Sequence, residues 1–238
     1  MASEGNKVLA AGLEFDERRA PLIGVMGGMF DPVHNGHIAA ALAALKALAL
    51  DELRLIPCHL PNHRGPASAS AQERLTMLRL AAAVDARLRV DDRECLRPGV
   101  SFTVDTLESL RAEHERAVLV LIMGADAFAG LTSWHRWQEL FGLANLLVVS
   151  RPGVLGAWPA ALQTEVEQRQ VSSGDLLCAK TQGSVLFLQE LQWAISSTQV
   201  REELRRHTGA AALLPPAVAN YIRTHGLYAQ DCWKDFES

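Results

Sequence analysis

An α/β fold, built on a parallel sheet with helices on both faces, is what this sequence predicts, and three observations predict it. Short apolar runs alternate with helical patterns along most of the chain, the signature of strand–helix–strand units. Several runs, "AVLVLIM" above all, are apolar without alternation, as strands buried on both faces are. A glycine-rich turn, "GGMFDPVHNGH", separates the first run from the first helix, where open parallel sheets bind their ligands. With 238 residues, 49% hydrophobic and 21% charged, the chain can bury one large core without disulfides.

The elements follow in order. Residues 1–20 mix acids and bases and read as an extension without a secretory signal; the domain begins at Pro21. "PLIGVMG" is a strand and "HIAAALAALKALAL" an Ala/Leu-rich helix, followed by the strand "LRLIPC". "LPNHRGPASAS", with its Pro, Gly and Ser, predicts a mobile loop, and "AQERLTMLRLAAAV" the helix after it. "RLRVDD" is a short strand, and "TVDTLESLRAEH" a helix with Val104, Leu107 and Leu110 on one face. Next come the strand "AVLVLIM", a helix around "SWHRWQELF" and the strand "NLLVVS". Residues 153–182 show the least regular pattern and read as a variable insertion. "SVLFLQE" is the last strand. "STQVREELRRH" and "PPAVANYIRTHG" form a small C-terminal helical segment, the second helix opened by Pro and closed by Gly226.

A net charge of −4 argues against a dedicated nucleic-acid binder, and the longest apolar run is shorter than the about 20 residues a bilayer demands. Cys58, Cys95, Cys178 and Cys232 are scattered, as reduced thiols are. These features predict a soluble, cytoplasmic protein with neither nucleic acid nor membrane as partner, a monomer or a homo-oligomer.

The turn between the first strand and helix suits phosphate. Gly27 and Gly28 let backbone approach an anion, Asp31-Pro32 favours a turn, and the helix starting near Gly36 aims free N–H groups at it. Neither G-x-G-x-x-G nor G-x-x-x-x-G-K-[ST] is present. His34 and His37, at i and i+3, are the candidate side-chain donors. Two other readings stand beside this one: a histidine that only caps the helix, and a zinc site drawing on Cys58, His59 and His63. In "ISSTQVREELRRH", Ser196, Ser197 and Thr198 can cap a helix whose first turn holds Arg201, where a cation opposes the dipole by about 0.3–1 kcal/mol. Either an anion binds there, or Glu202 and Glu203 neutralise the charge.

"GGMFDPVHNGH" resembles the (G/x)GxFDPxHxGH signature of nucleotidyltransferases, and "ISSTQVR" their ISSTxxR signature. With "IPCHLPNHR", "SFTVDTLESLR", "MGADAF", "TSWHRWQEL", "VVSRPG" and "LLPPAVANYIRTHGLY", the chain resembles the bacterial nicotinate-mononucleotide adenylyltransferases from about Leu22 to Tyr228. The resemblance implies a Rossmann-like nucleotidyltransferase domain over residues 21–228, with the tail 229–238 outside it. The implied reaction joins ATP to nicotinate mononucleotide with Mg²⁺ and yields nicotinate adenine dinucleotide and pyrophosphate. It implies catalytic roles for His34, His37 and Arg201. ATP is expected at Gly27, Gly28, Met29, Phe30, His34, His37, Gly124, Asp126, Ser197, Thr198 and Arg201. Nicotinate mononucleotide is expected at Arg64, Thr103, Trp134, His135 and Arg151, with Trp134 stacked on its ring. Mg²⁺ is carried by ATP, with no metal ligand from protein side chains.

Plainer readings remain for some of these residues. Asp126 can cap the helix "AFAGL", Trp134 and Trp137 can be a core-facing pair, and Arg64 can be a solvated loop arginine. The chain departs from the family pattern at Met29, where Thr is common, and at Asn62, where Pro is common. Other functions in view are a sister transferase using nicotinamide mononucleotide or phosphopantetheine, a non-catalytic nucleotide sensor, and a metal-dependent hydrolase.

Overall fold

The computed structural model describes residues 20–60, 67–150, 158–189 and 195–228. Residues 1–19 of the expected extension (1–20), residues 61–66 of the expected mobile loop and the tail (229–238) lie outside the described residues.

Strands β1 (Leu22–Gly28), β2 (Glu52–Pro57), β3 (Leu88–Val90), β4 (Val118–Gly124), β5 (Asn145–Val149) and β6 (Val185–Leu188) form one sheet in the order β3-β2-β1-β4-β5-β6. Every pairing is parallel. This order reverses beside β1, whose Val25 lies between Arg54 of β2 and Leu121 of β4. The α/β expectation is met.

The uninterrupted apolar strands divide between two cores by the two-residue alternation of a strand. In β4, Val118, Val120 and Ile122 face one side, and Leu119, Leu121 and Met123 the other. The first side is covered by α1 (Asn35–Ala47) through Ile38, Ala41, Ala44 and Leu45, and by α2 (Ala71–Ala82) through Met77 and Leu78. After the short α3 (Arg93–Leu96), α4 (Thr103–Glu113) covers the second side with Val104, Leu107 and Leu110, as its spacing predicts. Ser70 caps α2 through a reciprocal pairing with Glu73, which fixes where that helix begins.

Beyond β4 comes α5 (Ala125–Ala129), and here the structure departs from the sequence reading. "SWHRWQELF" is not one α-helix but two 3₁₀ turns, Leu131–Ser133 and Trp137–Gly142. The break falls where Trp134 is extended and Arg136 takes a left-handed φ of 52°. Arg136 is held there by Glu108 and Glu139, an ion-paired anchor that local propensity does not encode. The stretch read as irregular contains α6 (Ala160–Arg169) and α7 (Gly174–Cys178). Leu162 and Val166 are the residues α6 buries, too sparse a stripe to declare itself.

The chain closes with α8 (Ser197–Arg205) and α9 (Pro216–His225), the latter ended by Gly226 at φ 61°. Both pack on the first core through Val200, Val218 and Ile222. Among the described residues no helix is long and apolar enough to cross a membrane.

Gly24 lets β2 and the residues before it close against β1. A Cβ there would lie 2.7 Å from Leu50 Cδ1 and 3.0 Å from both Leu53 Cγ and Ile122 Cδ1. Overpacking of this kind costs about 1–3 kcal/mol. Gly24→Ala should therefore lower the free energy of unfolding by that amount, read as a lower urea midpoint with an unchanged slope of the transition.

Candidate active site

The strand order reverses at β1 and β4, and the crevice beyond their carboxyl ends is where such sheets bind ligands. Gly27 borders it, and a Cβ built there meets nothing within 4 Å; the same holds for Gly124 at the end of β4. Gly28 is favoured for a different reason. A Cβ there would stand 3.2 Å from the Phe30 ring, which folds back beneath the turn from a left-handed backbone, φ 47°.

Asp31 follows, 3% exposed. Its carboxylate accepts the N–H groups of Ser68 (2.7 Å) and Ala69 (3.1 Å) and the hydroxyl of Tyr228 (2.8 Å). Arg74, 1% exposed on α2, donates from Nη1 to the Met29 carbonyl at 2.7 Å, so the turn is held from below as well.

His34 occupies the N-cap of α1 and His37 its first turn. The rings stack with centroids 3.7 Å apart, and Phe30 meets His37 edge-on at 5.0 Å. The His34 N–H donates to His37 Nδ1 at 3.3 Å, which leaves the proton of a neutral His37 ring on Nε2. The reciprocal half of this capping box stops short of a hydrogen bond, because the His37 N–H is given to the His34 carbonyl at 2.9 Å. The buried Nδ1 of His34 is thus without a partner. Capping by a histidine is therefore real but belongs to His37, and it uses one of that ring's two nitrogens. Burial pushes the His34 pKa down to about 4, so the stacked pair does not carry a charge on His34 near neutrality.

The second anion signal joins the first. Ser196 caps α8, Ser197 Oγ donates to the Pro32 carbonyl at 3.1 Å, and Arg201 Nη1 donates to the Asp31 carbonyl at 2.6 Å. Arg201 also lies 3.8 Å from Asp31 Oδ2 and donates to Thr198 Oγ1 at 3.3 Å. The acid beside it is Asp31, at 3.8 Å, and not Glu202 or Glu203; Glu203 accepts from Gln199 instead.

Across the crevice, Gly124 and not Asp126 is the N-cap of α5, so the capping alternative for Asp126 fails; the residue sits exposed in the first turn. Thr103 opens α4. His135 is exposed, with its ring 4.4 Å from that of Phe102. Trp134 and Trp137 are both partly buried against the second core, so the core-facing reading holds in part. Arg64 and Arg151 lie outside the described residues. Among the described residues no three His, Cys, Asp or Glu side chains gather as a metal site, and Cys58, Cys95 and Cys178 are in no disulfide. His63, which the zinc reading needs, lies outside them.

Residues 25–203 match the cytidylyltransferase-like family. A protein of Methylococcus capsulatus named "Probable nicotinate-nucleotide adenylyltransferase" is 46% identical over 210 residues, which span 88% of this chain and 100% of that relative. One of the same name from Pseudomonas syringae pv. tomato is 44% identical, over 87% of this chain and 93% of its own length. The chain belongs to the nicotinate-nucleotide adenylyltransferase family. The fold is shared with the Plasmodium falciparum nicotinic acid mononucleotide adenylyltransferase complexed with NaAD. That likeness has a TM-score of 0.68 at 16% identity and covers 87% of this chain and 97% of the other. As an adenylyltransferase, the protein is a nucleotidyltransferase enzyme.

Three residues of this adenylyltransferase site escape the sequence reading: the Asp31 side chain, taken there only as a turn former, Arg74 and Tyr228. Arg74 had a usable signal. It shares a helical face with Met77, Leu78 and Ala81, where a charge is out of place unless buried with a partner.

The depressed pKa of His34 fixes a sign for pH dependence. Between the ordinary histidine value of about 6.5 and the folded value of about 4, the unfolded chain binds a proton that the folded chain does not. Stability should be full above that window and fall by about 3 kcal/mol as pH drops through it. Urea titrations across the window should show this slope, flattened in His34→Gln, and the His34 ring should titrate near the lower limit by NMR.

Proposed function

We propose that the enzyme transfers the adenylyl group of ATP to nicotinate mononucleotide, forming nicotinate adenine dinucleotide and pyrophosphate in NAD biosynthesis. The observation that carries this is the convergence of the His34–His37 stack and Arg201, from segments 164 or more positions apart, on the glycine edge of β1. The acceptor and product are those in the names of the relatives and of the solved complex.

The chemistry needs what this site holds. The attacking group is an ionised phosphate, so no base or covalent nucleophile is required; alignment and charge stabilisation do the work. The Nε2–H of His37, the N–H groups at the start of α1, and Arg201 with Ser197 and Thr198 address the triphosphate as charge grows on the α-phosphate and the departing pyrophosphate. Gly27, Gly28, Met29 and Phe30 bring backbone to the nucleotide, with Gly124 and Asp126 on the β4 side. Mg²⁺, bound to the triphosphate, supplies charge neutralisation there. The donor set fits that arrangement, since imidazole, guanidinium, hydroxyl and amide N–H groups suit phosphate oxygens better than a bare cation.

Trp134 stacks on the nicotinate ring, the N–H groups of Thr103 and His135 meet its carboxylate, Arg64 takes the acceptor's phosphate, and Arg151 is a further acceptor-binding residue. One domain, residues 21–228, carries the activity. Small-molecule substrates call for neither a nucleic-acid nor a membrane partner, and the reaction belongs in the cytoplasm.

An acceptor panel tests this. Pyrophosphate should be released when ATP, Mg²⁺ and nicotinate mononucleotide are all present, and faster than with nicotinamide mononucleotide or phosphopantetheine. A preference for either of those acceptors would move the enzyme to a sister activity, and ATP binding without release would make it a sensor. His37→Ala should lower kcat by about 10²–10³, or about 2.7–4 kcal/mol, as loss of one oxyanion donor does elsewhere. Unaltered kcat would remove His37 from the mechanism.

A further inference from the structure

Tyr228 lies past the end of α9 and outside residues 25–203, which match the broader cytidylyltransferase-like family. Its side chain nevertheless reaches the phosphate turn. The residue is buried, with its backbone at φ 65°, a left-handed conformation that a bulky side chain adopts only when its surroundings insist. From there its hydroxyl donates to Asp31 Oδ1 at 2.8 Å, across 197 positions of sequence.

Asp31 divides its oxygens. Oδ1 takes the Tyr228 hydroxyl and the Ala69 N–H, while Oδ2 takes the Ser68 N–H and stands 3.8 Å from Arg201 Nη1. Arg201 is bonded to the Asp31 backbone carbonyl at 2.6 Å, close to the carboxylate but not locked onto it. A buried carboxylate that loses a donor seeks another, and this guanidinium is the cation beside it.

We infer that Tyr228 is a positioning residue for adenylyl transfer: by holding Asp31 Oδ1, its hydroxyl keeps the carboxylate from capturing Arg201 and leaves the guanidinium available to the triphosphate. This rests on the function proposed above. Burial and the charge of Asp31 push the phenol pKa upward, so the hydroxyl remains a donor at every working pH.

Tyr228→Phe keeps the ring and removes the donor. It should lower kcat about tenfold while the KM for nicotinate mononucleotide stays within about twofold. In an Arg201→Ala background, the same change should cost less than about twofold further, because its effect passes through Arg201. Leu227→Ala, which loosens the same terminal turn but leaves the hydroxyl, should keep kcat. An unchanged kcat in Tyr228→Phe, losses that multiply with Arg201→Ala, an equal loss in Leu227→Ala, or a Tyr228→Phe chain that does not fold would each overturn the inference. Absence of turnover in the unaltered chain would instead sink the proposed function, so the two failures are distinct.

Discussion

A carboxylate almost sealed from water is tolerable only if its charge is answered, and the organisation of the site follows from how Asp31 is answered. Its partners come from the residues just before α2, from α8 and from Tyr228 beyond α9. The turn after β1 therefore does not take its shape alone. Gly28 leaves room for Phe30 to fold under, the Phe30 ring supports His37, and His37 in turn caps α1. Each step is local, but Asp31 fixes the whole against the remainder of the fold.

The same charges explain how a chain of net charge −4 can attract a triphosphate. Two guanidiniums, the buried one of Arg74 on the Met29 carbonyl and the partly covered one of Arg201 on the Asp31 carbonyl, hold the turn, and α1 begins beside it with its positive end. Local excess matters here because buried charges are screened less than those on the surface. His34 contributes by being neutral: two imidazoles stacked at 3.7 Å could not both be charged without repulsion, and burial settles the matter for one of them.

How much of this was legible in the sequence depended on whether the signal was local. The strand–turn–helix at Gly27 to His37 and the capped start of α8 were readable because glycine, histidine and serine declare their uses within a few positions. The burial of β4 on both faces was readable for a like reason, from its unbroken apolar run. Arg136 was not: its left-handed backbone is held in part by Glu108, 28 positions away, so the helix expected over "SWHRWQELF" gave way to two 3₁₀ turns. Nor was α6, whose buried Leu162 and Val166 make too thin a stripe. Asp31 read as a turn former because its local chemistry says only that; its buried ties to Arg201 and Tyr228 exist only in three dimensions.

The two cores also account for a reaction with two substrates. His34, His37, α8 and Tyr228 belong to elements packed on the first side of the sheet, while α4 and Trp134 pack on the second. β1 and β4 run between them, and their carboxyl ends open on the same crevice. On the proposed function, the phosphate donors reach in from one side and the ring-binding residues from the other, so the substrates meet where the strand order reverses. A strand order without that reversal would leave the two sets of side chains on opposite faces of a continuous sheet, with backbone between them and no shared opening for the phosphates to meet.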